Sequence, residues 1–228
     1  MIDTHVHLCD KRFDKDRQLV FDRAHHVGVT HFVEIAYGPG VWDKAFALAA
    51  EHPNVYLAVG VHPNSAADVA MDQLAALRSH ARHARVVAIG EIGLDTFRDY
   101  APLDVQEEWF RAQLALADEV GLPVIIHQRS QLERVLAMLE EAKPQAGGVL
   151  TYGHAELDEA VRTAPENMLL LETDAPYLEP EPRSLKRNEP SLLTRIVKRL
   201  CELRGWTPQQ AVEITRRNSR DLFRFPID

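Results

Sequence analysis

The sequence is poor in cysteine, has no long apolar run and carries no excess of basic residues. Cys9 and Cys201 are its two cysteines, too few for a disulfide framework, which favours a reducing compartment. No apolar stretch is long enough to span a bilayer, and the first residues include an acid and two histidines where a signal peptide needs an apolar region. We therefore expect a cytoplasmic protein with no membrane partner, and no obligate protein partner is evident.

The charge balance excludes one common mode of nucleic-acid binding. The 26 Lys and Arg residues face 34 Asp and Glu, a formal net charge of -8, so bulk electrostatic attraction cannot hold a polyanion. A phosphate-bearing substrate would need local cations, and bound metal ions are one source, since acidic side chains then become ligands. The length of 228 residues and the hydrophobic content of 46% suit one globular domain spanning residues 1–228.

The first distinctive pattern is His5-Val6-His7, near the start of the chain. If this stretch is a strand, alternation sends His5 and His7 to the same side, where two neutral imidazoles can hold one divalent ion. The pair alone is weak support for a metal site, because strand histidines are often surface or core residues. Cys9 follows closely, and a small buried apolar residue is favoured over a thiolate ligand as its interpretation.

Short apolar strands alternate with amphipathic helices along the chain. Each strand is apolar throughout, which is typical of a parallel sheet covered on both faces. We predict seven strands, centred on His5, Val33, Leu57, Ala88, Ile125, Val149 and Leu170, with helices between them and two helices at the end. Two architectures fit this pattern: an open doubly wound sheet and a (β/α)8 barrel.

Polar residues at the strand ends favour the barrel. Imidazoles and carboxylates lie at or just past the C-terminal ends of different strands, namely His5, His7, His62, Glu91, His127 and Asp174. In a barrel these ends converge on one face, whereas in an open sheet they would be spread apart. Each residue singly has a bland explanation, such as a cap, an ion pair or a core hydrogen bond. Gathered on one face, they form a mixed nitrogen and oxygen set that suits zinc, manganese or magnesium.

Five motifs resemble those of the TatD-type metal-dependent deoxyribonucleases, a branch of the amidohydrolase superfamily. They occur in order along nearly the whole chain: HVH at 5–7, GEIGLD at 90–95, PVIIHQR at 123–129, LLLETDAPYL at 169–178 and KRNEP at 186–190. The resemblance implies that His5, His7 and Glu91 bind one metal ion. It also implies that Glu91 bridges to a second ion, which His127 helps to hold. Asp174 then corresponds to a metal ligand that orients or deprotonates the attacking water.

General chemistry supports the same assignment. Two neighbouring cations lower the pKa of a bound water and stabilise charge on the attacking and leaving oxygens of a phosphoryl displacement. Asp174 would take the proton. Glu172 is left without a role, because alternation puts it on the side of Asp174 only if the strand stays regular.

Three basic residues and one histidine are candidates for substrate binding. Arg129 lies two residues past His127, so it faces the same side of its strand and can hold a phosphate bidentately, although a plain surface arginine is an equally simple interpretation. His62 ends the third strand and is a second candidate. Lys186 and Arg187, in a proline-rich loop, either contact substrate phosphates or face solvent.

Two departures from the family pattern matter. The family commonly has His-Pro-His after the third strand, whereas here His62-Pro63 is followed by Asn64, so we expect an altered substrate preference rather than lost activity. The family also has a His-Cys-Phe-Ser-Gly-like segment after the sixth strand, where this chain continues from Leu150 to Thr151-Tyr152-Gly153-His154. His154 is not favoured as a substitute ligand, because it falls in the stretch that precedes the final strand.

The second departure shapes the predicted fold. The stretch from Leu150 to Met168 has room for one short helix but not for a helix, a strand and a helix. We therefore predict an α/β fold, a (β/α)8 TIM-type barrel with one βα unit, on the order of 25 residues, missing after the sixth strand. Either the intact protein carries a further segment after Leu150, or a true deletion leaves a weakened barrel with an incomplete second metal site.

The favoured function is a divalent-metal-dependent deoxyribonuclease that uses two ions of Mg, Mn or Zn and cleaves DNA exonucleolytically, with RNA as a further substrate. One alternative is an amidohydrolase that cleaves a small amide, ester or lactone with the same metals, since a fold does not fix a substrate. A third interpretation, suggested by the missing histidine, is a catalytically impaired barrel that acts as a binding protein.

Overall fold

The structure, a computed structural model, describes residues 1–142, 148–151, 155–183 and 187–225. Within these residues the strands are β1 (Ile2–Val6), β2 (His31–Ala36), β3 (Val55–Val59), β4 (Val86–Asp95), β5 (Val124–Arg129) and β6 (Gly148–Thr151). The α-helices are α1 (Arg17–His26), α2 (Pro39–Glu51), α3 (Leu74–Ala81), α4 (Leu103–Val120), α5 (Leu132–Ala142), α6 (Ala155–Thr163), α7 (Leu193–Arg204) and α8 (Pro208–Phe223). Short 3₁₀ helices occupy Lys11–Phe13, Pro63–Asp68, Met71–Gln73, Glu166–Met168 and Pro190–Leu192. Across these ranges, we find no helix with both the length and the apolar character that a bilayer span requires.

The six strands belong to one sheet and are hydrogen-bonded in their order along the chain, from β1 to β6. The strand pairs β1/β2, β3/β4, β4/β5 and β5/β6 are parallel. Parallel neighbours need a crossover connection, which α1 to α5 supply. All residues of β1, β3 and β4 are buried, as expected for strands covered on both faces. The predicted α/β class is therefore observed.

Some helix ends follow capping signals in the sequence. α4 ends at Gly121 in the left-handed conformation, with φ of 68°, and α8 begins with a capping box between Thr207 and Gln210. The sequence also predicts Asp104 as the N-cap of α4, but the helix begins one residue earlier, after Pro102, and Asp104 lies in its first turn. An acid in the first turn still interacts favourably with the helix dipole.

The seventh predicted strand, around Leu170, is wrong as a regular strand. The segment follows β1 nonetheless: Thr4 N donates to Leu171 O (3.0 Å), Asp174 N to His5 O (2.9 Å) and His7 N to Ala175 O (2.8 Å). Asp174 adopts φ of 55°, in the left-handed region, and this interrupts the regular ladder. The prediction thus placed the segment in the right neighbourhood but gave it too regular a conformation.

The chain divides into two compact units, which we call the first and second units. The first unit comprises the described residues of 1–34, 48–56 and 153–228, and the second comprises those of 35–47 and 57–152. In the first, Phe21 packs edge-on against Phe32 (centroids 5.2 Å apart) and stacks on His52 (4.2 Å). In the second, α4 buries Trp109 and Phe110 together with Leu114 and Ala117, the predicted helical spacing. That the chain forms one domain stays a prediction.

Gly93 allows a close approach between β4 and β5. It has φ of 139°, and a Cβ at this position would overlap the main-chain oxygen of His127.

We expect Gly93→Ala to lower the free energy of unfolding by roughly 2 to 5 kcal/mol, from backbone strain and overpacking together, as measured by urea denaturation. Gly40→Ala is the matched control: Gly40 lies in α2 with no heavy atom within 4 Å of an added Cβ. It should leave stability unchanged or raise it by up to about 1 kcal/mol. Wild-type stability for Gly93→Ala would contradict the assigned close approach.

Candidate functional site

The first unit contains a cluster of metal-ligand side chains that we call the first donor group: His5, His7 and Asp174. One ligand atom of each residue lies within 4.8 Å of the others. Asp174 Oδ1 is 3.5 Å from His5 Nε2 and 3.2 Å from His7 Nε2. Both histidines are buried, whereas the Asp174 side chain is 20% exposed. The structure therefore brings together three of the predicted site residues, at a position that solvent reaches.

Glu172 also reaches the first donor group, although its segment is not a regular strand. Asp174 lies in the left-handed region, which is uncommon for a non-glycine residue and marks a constrained backbone. Glu172 Oε2 nonetheless lies 3.8 Å from His5 Nδ1. The sequence left Glu172 without a role, and the structure places it beside the first donor group.

Two buried carboxylates support the backbone around the first donor group. Asp3 accepts hydrogen bonds from Thr173 Oγ1 (2.6 Å), Thr173 N (3.0 Å) and His5 N (3.4 Å). Glu34 accepts from the main-chain nitrogens of Leu8 (2.5 Å) and Cys9 (3.2 Å). Burial raises the pKa of each carboxyl group to about 7. Sequence reasoning missed both residues, although a charged residue inside an otherwise apolar strand was the available signal.

The loop that follows Asp174 is tied down at its far end. Asn188 donates from Nδ2 to the main-chain oxygens of Thr173 (2.7 Å) and Tyr177 (2.6 Å). Arg187, a candidate for phosphate contact, instead pairs with Asp16 (2.5 Å) and Glu189 (3.0 Å), and its side chain is 19% exposed. Its contacts are thus those of a structural anchor. Lys186 lies outside the described residues.

The second unit contains a second donor group: His62, Glu91 and His127, again with one ligand atom of each within 4.8 Å of the others. Glu91 Oε1 is 2.8 Å from His127 Nδ1, and Glu91 Oε2 is 3.9 Å from His62 Nε2. Glu91 and His127 are buried within their strands, and His62 follows β3. Three predicted site residues therefore meet here. That Glu91 also bridges to an ion at His5 and His7 stays a prediction.

Asp95, which sequence reasoning missed, contacts His127 of the second donor group. Its Oδ2 lies 3.0 Å from His127 Nε2, and Asn64 Nδ2 donates to the same oxygen (3.2 Å). An ionised carboxylate only accepts, so the position of His127 between Glu91 and Asp95 favours a ring that donates from both nitrogens. The sequence contained a signal for Asp95: it belongs to the GEIGLD motif, as Glu91 does, and residues four apart in a strand share a side.

The pKa values of His127 and Asp95 reflect this contact. Burial alone would lower the pKa of His127, but the hydrogen bonds to Glu91 and Asp95 outweigh it and raise the pKa above its ordinary value. Burial would likewise raise the pKa of Asp95, but the hydrogen bond and charge of His127 hold it below its ordinary value. The two partners therefore stabilise each other in their charged forms.

The hydrogen bond that the His62 ring accepts bears on its role in the second donor group. Its Nδ1 accepts a hydrogen bond from Asn64 N (3.0 Å), so the proton of the neutral ring lies on Nε2. A protonated nitrogen donates and does not bind a metal ion. Although His62 belongs to the second donor group by distance, this tautomer supports the predicted role in substrate binding over a role as a ligand.

Two buried glutamines of α4 hold the backbone that carries these side chains. Gln113 accepts from Val61 N (2.7 Å) and donates to Val61 O (3.1 Å), next to His62. Gln106 accepts from Asp95 N (2.8 Å) and donates to Asp95 O (3.0 Å). Sequence reasoning missed both residues, although a glutamine on the apolar face of a helix was the available signal for a buried hydrogen bond. The strand ends are thus fixed by paired hydrogen bonds from a helix.

The remaining predicted residues have different outcomes. The Arg129 guanidinium carbon lies 3.7 Å from the centroid of the Phe97 ring, so the side chain is stacked on an aromatic residue. Its predicted contact with a phosphate stays a prediction. Cys9 is half-buried and belongs to neither donor group. His154 lies outside the described residues.

The donor sets fit divalent metal ions. Each group combines imidazole nitrogen with carboxylate oxygen, the chemistry that suits zinc, manganese or magnesium. Next to the second group, Asn64 Oδ1 is buried and has no hydrogen-bond partner among the described residues. A buried acceptor without a partner is costly, so a ligand at this position would stabilise the protein.

Comparison with known proteins supports this interpretation. The sequence model described as TatD related DNase matches residues 2–152 and 146–224. An uncharacterised metal-dependent hydrolase of Bacillus subtilis, YabD, is 35% identical over 252 residues, covering 98% of this chain and 99% of its own. A protein of a Rahnella species named 3'-5' ssDNA/RNA exonuclease TatD is 35% identical over 257 residues, covering 98% of each chain. The crystal structure of a TatD homologue from Escherichia coli, YjjV, superposes with a TM-score of 0.93 at 28% identity, covering 99% of this chain and 98% of its own.

The alignments also bear on the missing βα unit. They extend over 252 and 257 positions, more than the 228 residues of this chain, so the relatives carry residues that this chain lacks. The two segments matched by the sequence model meet at residues 146–152, where the sequence predicts the missing unit. The predicted family and fold class are confirmed. The chain belongs to the TatD-related DNase family of metal-dependent hydrolases.

Proposed function

We propose that the chain is a divalent-metal-dependent exonuclease that hydrolyses phosphodiester bonds of DNA and, as a further substrate, RNA. The observation that carries this proposal is the presence of two donor groups, each a cluster of imidazole and carboxylate atoms within 4.8 Å. Relatives named as single-stranded DNA and RNA exonucleases support it. A cytoplasmic location fits the two free cysteines and remains part of the proposal.

Each donor group would hold one metal ion. His5, His7 and Asp174 would hold the first, and Glu91 with His127 would hold the second, with Glu91 as the proposed bridge. At the second position an ion would take the place of the proton that His127 Nδ1 shares with Glu91. Asp95 would then keep the opposite ring nitrogen oriented, as carboxylates behind metal-bound histidines do. Bound ions of this kind acidify water and stabilise charge on phosphoryl oxygens.

Asp174 is the proposed general base. Its carboxylate is 20% exposed, whereas His5 and His7 are nearly buried, so among these three residues it is the most accessible to water. It would accept the proton of the attacking water. His62 would donate from Nε2 to a substrate oxygen, and Arg129 would supply positive charge near the scissile phosphate.

The function is tested with purified protein and end-labelled single-stranded and duplex DNA, with added magnesium or manganese and a parallel reaction in EDTA. We expect the label to be released as short products from one end, only when metal is present. Internal fragments would indicate an endonuclease instead. Absence of cleavage under all metal conditions, or equal cleavage in EDTA, would overturn the proposal.

The first prediction concerns Asp174. Asp174→Asn keeps the shape and removes the base, and asparagine tolerates the left-handed conformation, so the backbone should be retained. We expect turnover on DNA to fall by roughly a hundredfold or more, while substrate binding survives. Asp158→Asn, at an ion pair with Arg199 in the same unit, is the control and should keep wild-type turnover. Undiminished turnover by Asp174→Asn would remove it as the base.

The second prediction concerns metal occupancy. Glu91→Ala should lose bound metal as well as activity, because a bridging carboxylate would fix both ions. Metal content per protein chain is measured by elemental analysis after dialysis. Glu141→Ala removes a glutamate from an exposed ion pair with Arg111 and should keep full occupancy. A wild-type metal content in Glu91→Ala would contradict the proposed arrangement of two ions.

The third prediction concerns Asp95 in metal-free protein. Asp95→Asn keeps a hydrogen-bond acceptor for His127 but removes the negative charge, so the pKa of His127 should fall from its raised value. The titration is followed by NMR of the His127 ring protons. Asp99→Asn, four residues further along the exposed loop, should leave that pKa unchanged. An identical titration curve in Asp95→Asn and wild type would show that Asp95 does not act on His127.

A further inference from the structure

Three aromatic side chains are largely exposed in the part of the chain that the structure describes: Phe97 (63%), Tyr100 (60%) and Tyr177 (41%). Tyr177 and Phe97 lie close to a donor group of their own unit, and Tyr100 follows Phe97 in the same loop. Tyr177 packs edge-on against His7, with ring centroids 5.4 Å apart, and Phe97 follows Asp95 by two residues. Single exposed apolar residues need no explanation, but exposed aromatics confined to the two donor groups do.

Each of these rings is also paired with an arginine. The guanidinium carbon of Arg129 lies 3.7 Å from the Phe97 centroid, that of Arg98 lies 5.9 Å from Tyr100, and that of Arg12 lies 4.1 Å from Tyr177. Cationic groups over exposed rings combine a flat stacking surface with positive charge. In a chain with a net charge of -8, such local charge matters for an anionic ligand.

The pair of Phe97 and Arg129 is fixed relative to the second donor group. Asp95 Oδ1 accepts from the main-chain nitrogens of Phe97 (3.0 Å) and Arg98 (3.3 Å), while its Oδ2 lies 3.0 Å from His127 Nε2. Arg129 is the strand partner of Asp95 in the β4/β5 ladder, and its main-chain oxygen accepts from Thr96 N (3.2 Å). One carboxylate therefore positions both a proposed ligand and the stacked pair.

The stacked pair is poorly explained as a stabilising contact. A cation–π contact at an exposed site is weak, and a ring that is 63% exposed gains little from burial. No ion pair joins Arg129 to a carboxylate within the described ranges, so its charge is available to a ligand.

We propose that Phe97 and Arg129 form a stacking subsite for one unpaired base of a single-stranded nucleic acid. Every base has a flat face that can stack on an aromatic ring or on a guanidinium plane, and the arginine charge faces the adjoining phosphate. A base within a duplex is stacked on both faces and is not available, so the subsite selects single strands or frayed ends. This inference rests on the proposed nuclease function and names the form of its substrate.

The test measures binding of fluorescent single-stranded oligonucleotides with hydrolysis-resistant phosphorothioate linkages, in magnesium. A series carries one abasic nucleotide at successive positions from the 3' end. Phe97→Leu keeps an apolar side chain without the aromatic face. We expect it to weaken binding of the intact strand by about 5-fold to about 150-fold, the range measured for base–aromatic stacking. Leu136→Ala, an exposed apolar residue of α5, is the control and should bind as wild type does.

The decisive result is non-additivity. At one abasic position, the affinity of the wild type should fall by the same factor by which Phe97→Leu weakens binding of the intact strand. The affinity of Phe97→Leu should fall by less than about a further twofold when that same base is removed. A stability effect would weaken binding of every strand alike and cannot produce this pattern. Additive losses at every position, or wild-type affinity of Phe97→Leu, would overturn the subsite while leaving the nuclease function intact. Failure of the wild type to bind or cleave any of the DNA substrates would instead overturn the proposed function and the subsite together.

Discussion

The pairing of β1 with the segment around 171–175 is the interaction on which the first donor group depends. Asp174 and His7 are 167 positions apart in the chain, yet three main-chain hydrogen bonds set the segment beside β1. Asp3 strengthens this contact by accepting from both polar groups of Thr173. Ordering two such distant segments costs conformational entropy, and the buried hydrogen bonds and apolar neighbours offset it. Loss of the pairing would therefore separate the carboxylate from the imidazoles.

A buried polar network plays the corresponding part in the second donor group. Gln106 fixes the backbone of Asp95, and Asp95 in turn contacts His127 and the amide nitrogens of the following loop. Polar groups in a core rigidify it when all are satisfied, and they destabilise it when one partner is lost. The exposed Phe97 is consequently held by the same residue that orients His127. The proposed metal ligand His127 and the proposed stacking residue Phe97 are thereby linked through one carboxylate.

The sequence predicted regular elements and ligand types better than it predicted detailed geometry. Six strands follow from periodicity, and the C-terminal end of α4 at Gly121 and the start of α8 at Thr207 follow from capping signals. Both kinds of signal are local properties of the sequence. The seventh strand was wrong because the left-handed conformation of Asp174 is set by contacts with β1, which no local pattern encodes. The partners of His127 depend on which side chains face each other across two strands, and the tautomer of His62 depends on the loop conformation that brings Asn64 N to its ring. The order of the motifs identifies the candidate site residues, but it does not predict these hydrogen bonds.

The loop between Tyr177 and Asn188 has both of its ends held in the first unit. Asn188 bridges the carbonyls of Thr173 and Tyr177. Arg187 forms an ion pair with Asp16, just before α1, and Glu189 forms one with Arg23 of α1. When both ends of a loop are fixed, a change in its length adds little entropic cost, because closure entropy grows only slowly with length. Insertions and deletions here would leave the position of Asp174 unaltered. Changes of length are therefore tolerated more readily in this loop than in the segment around Asp174 that pairs with β1.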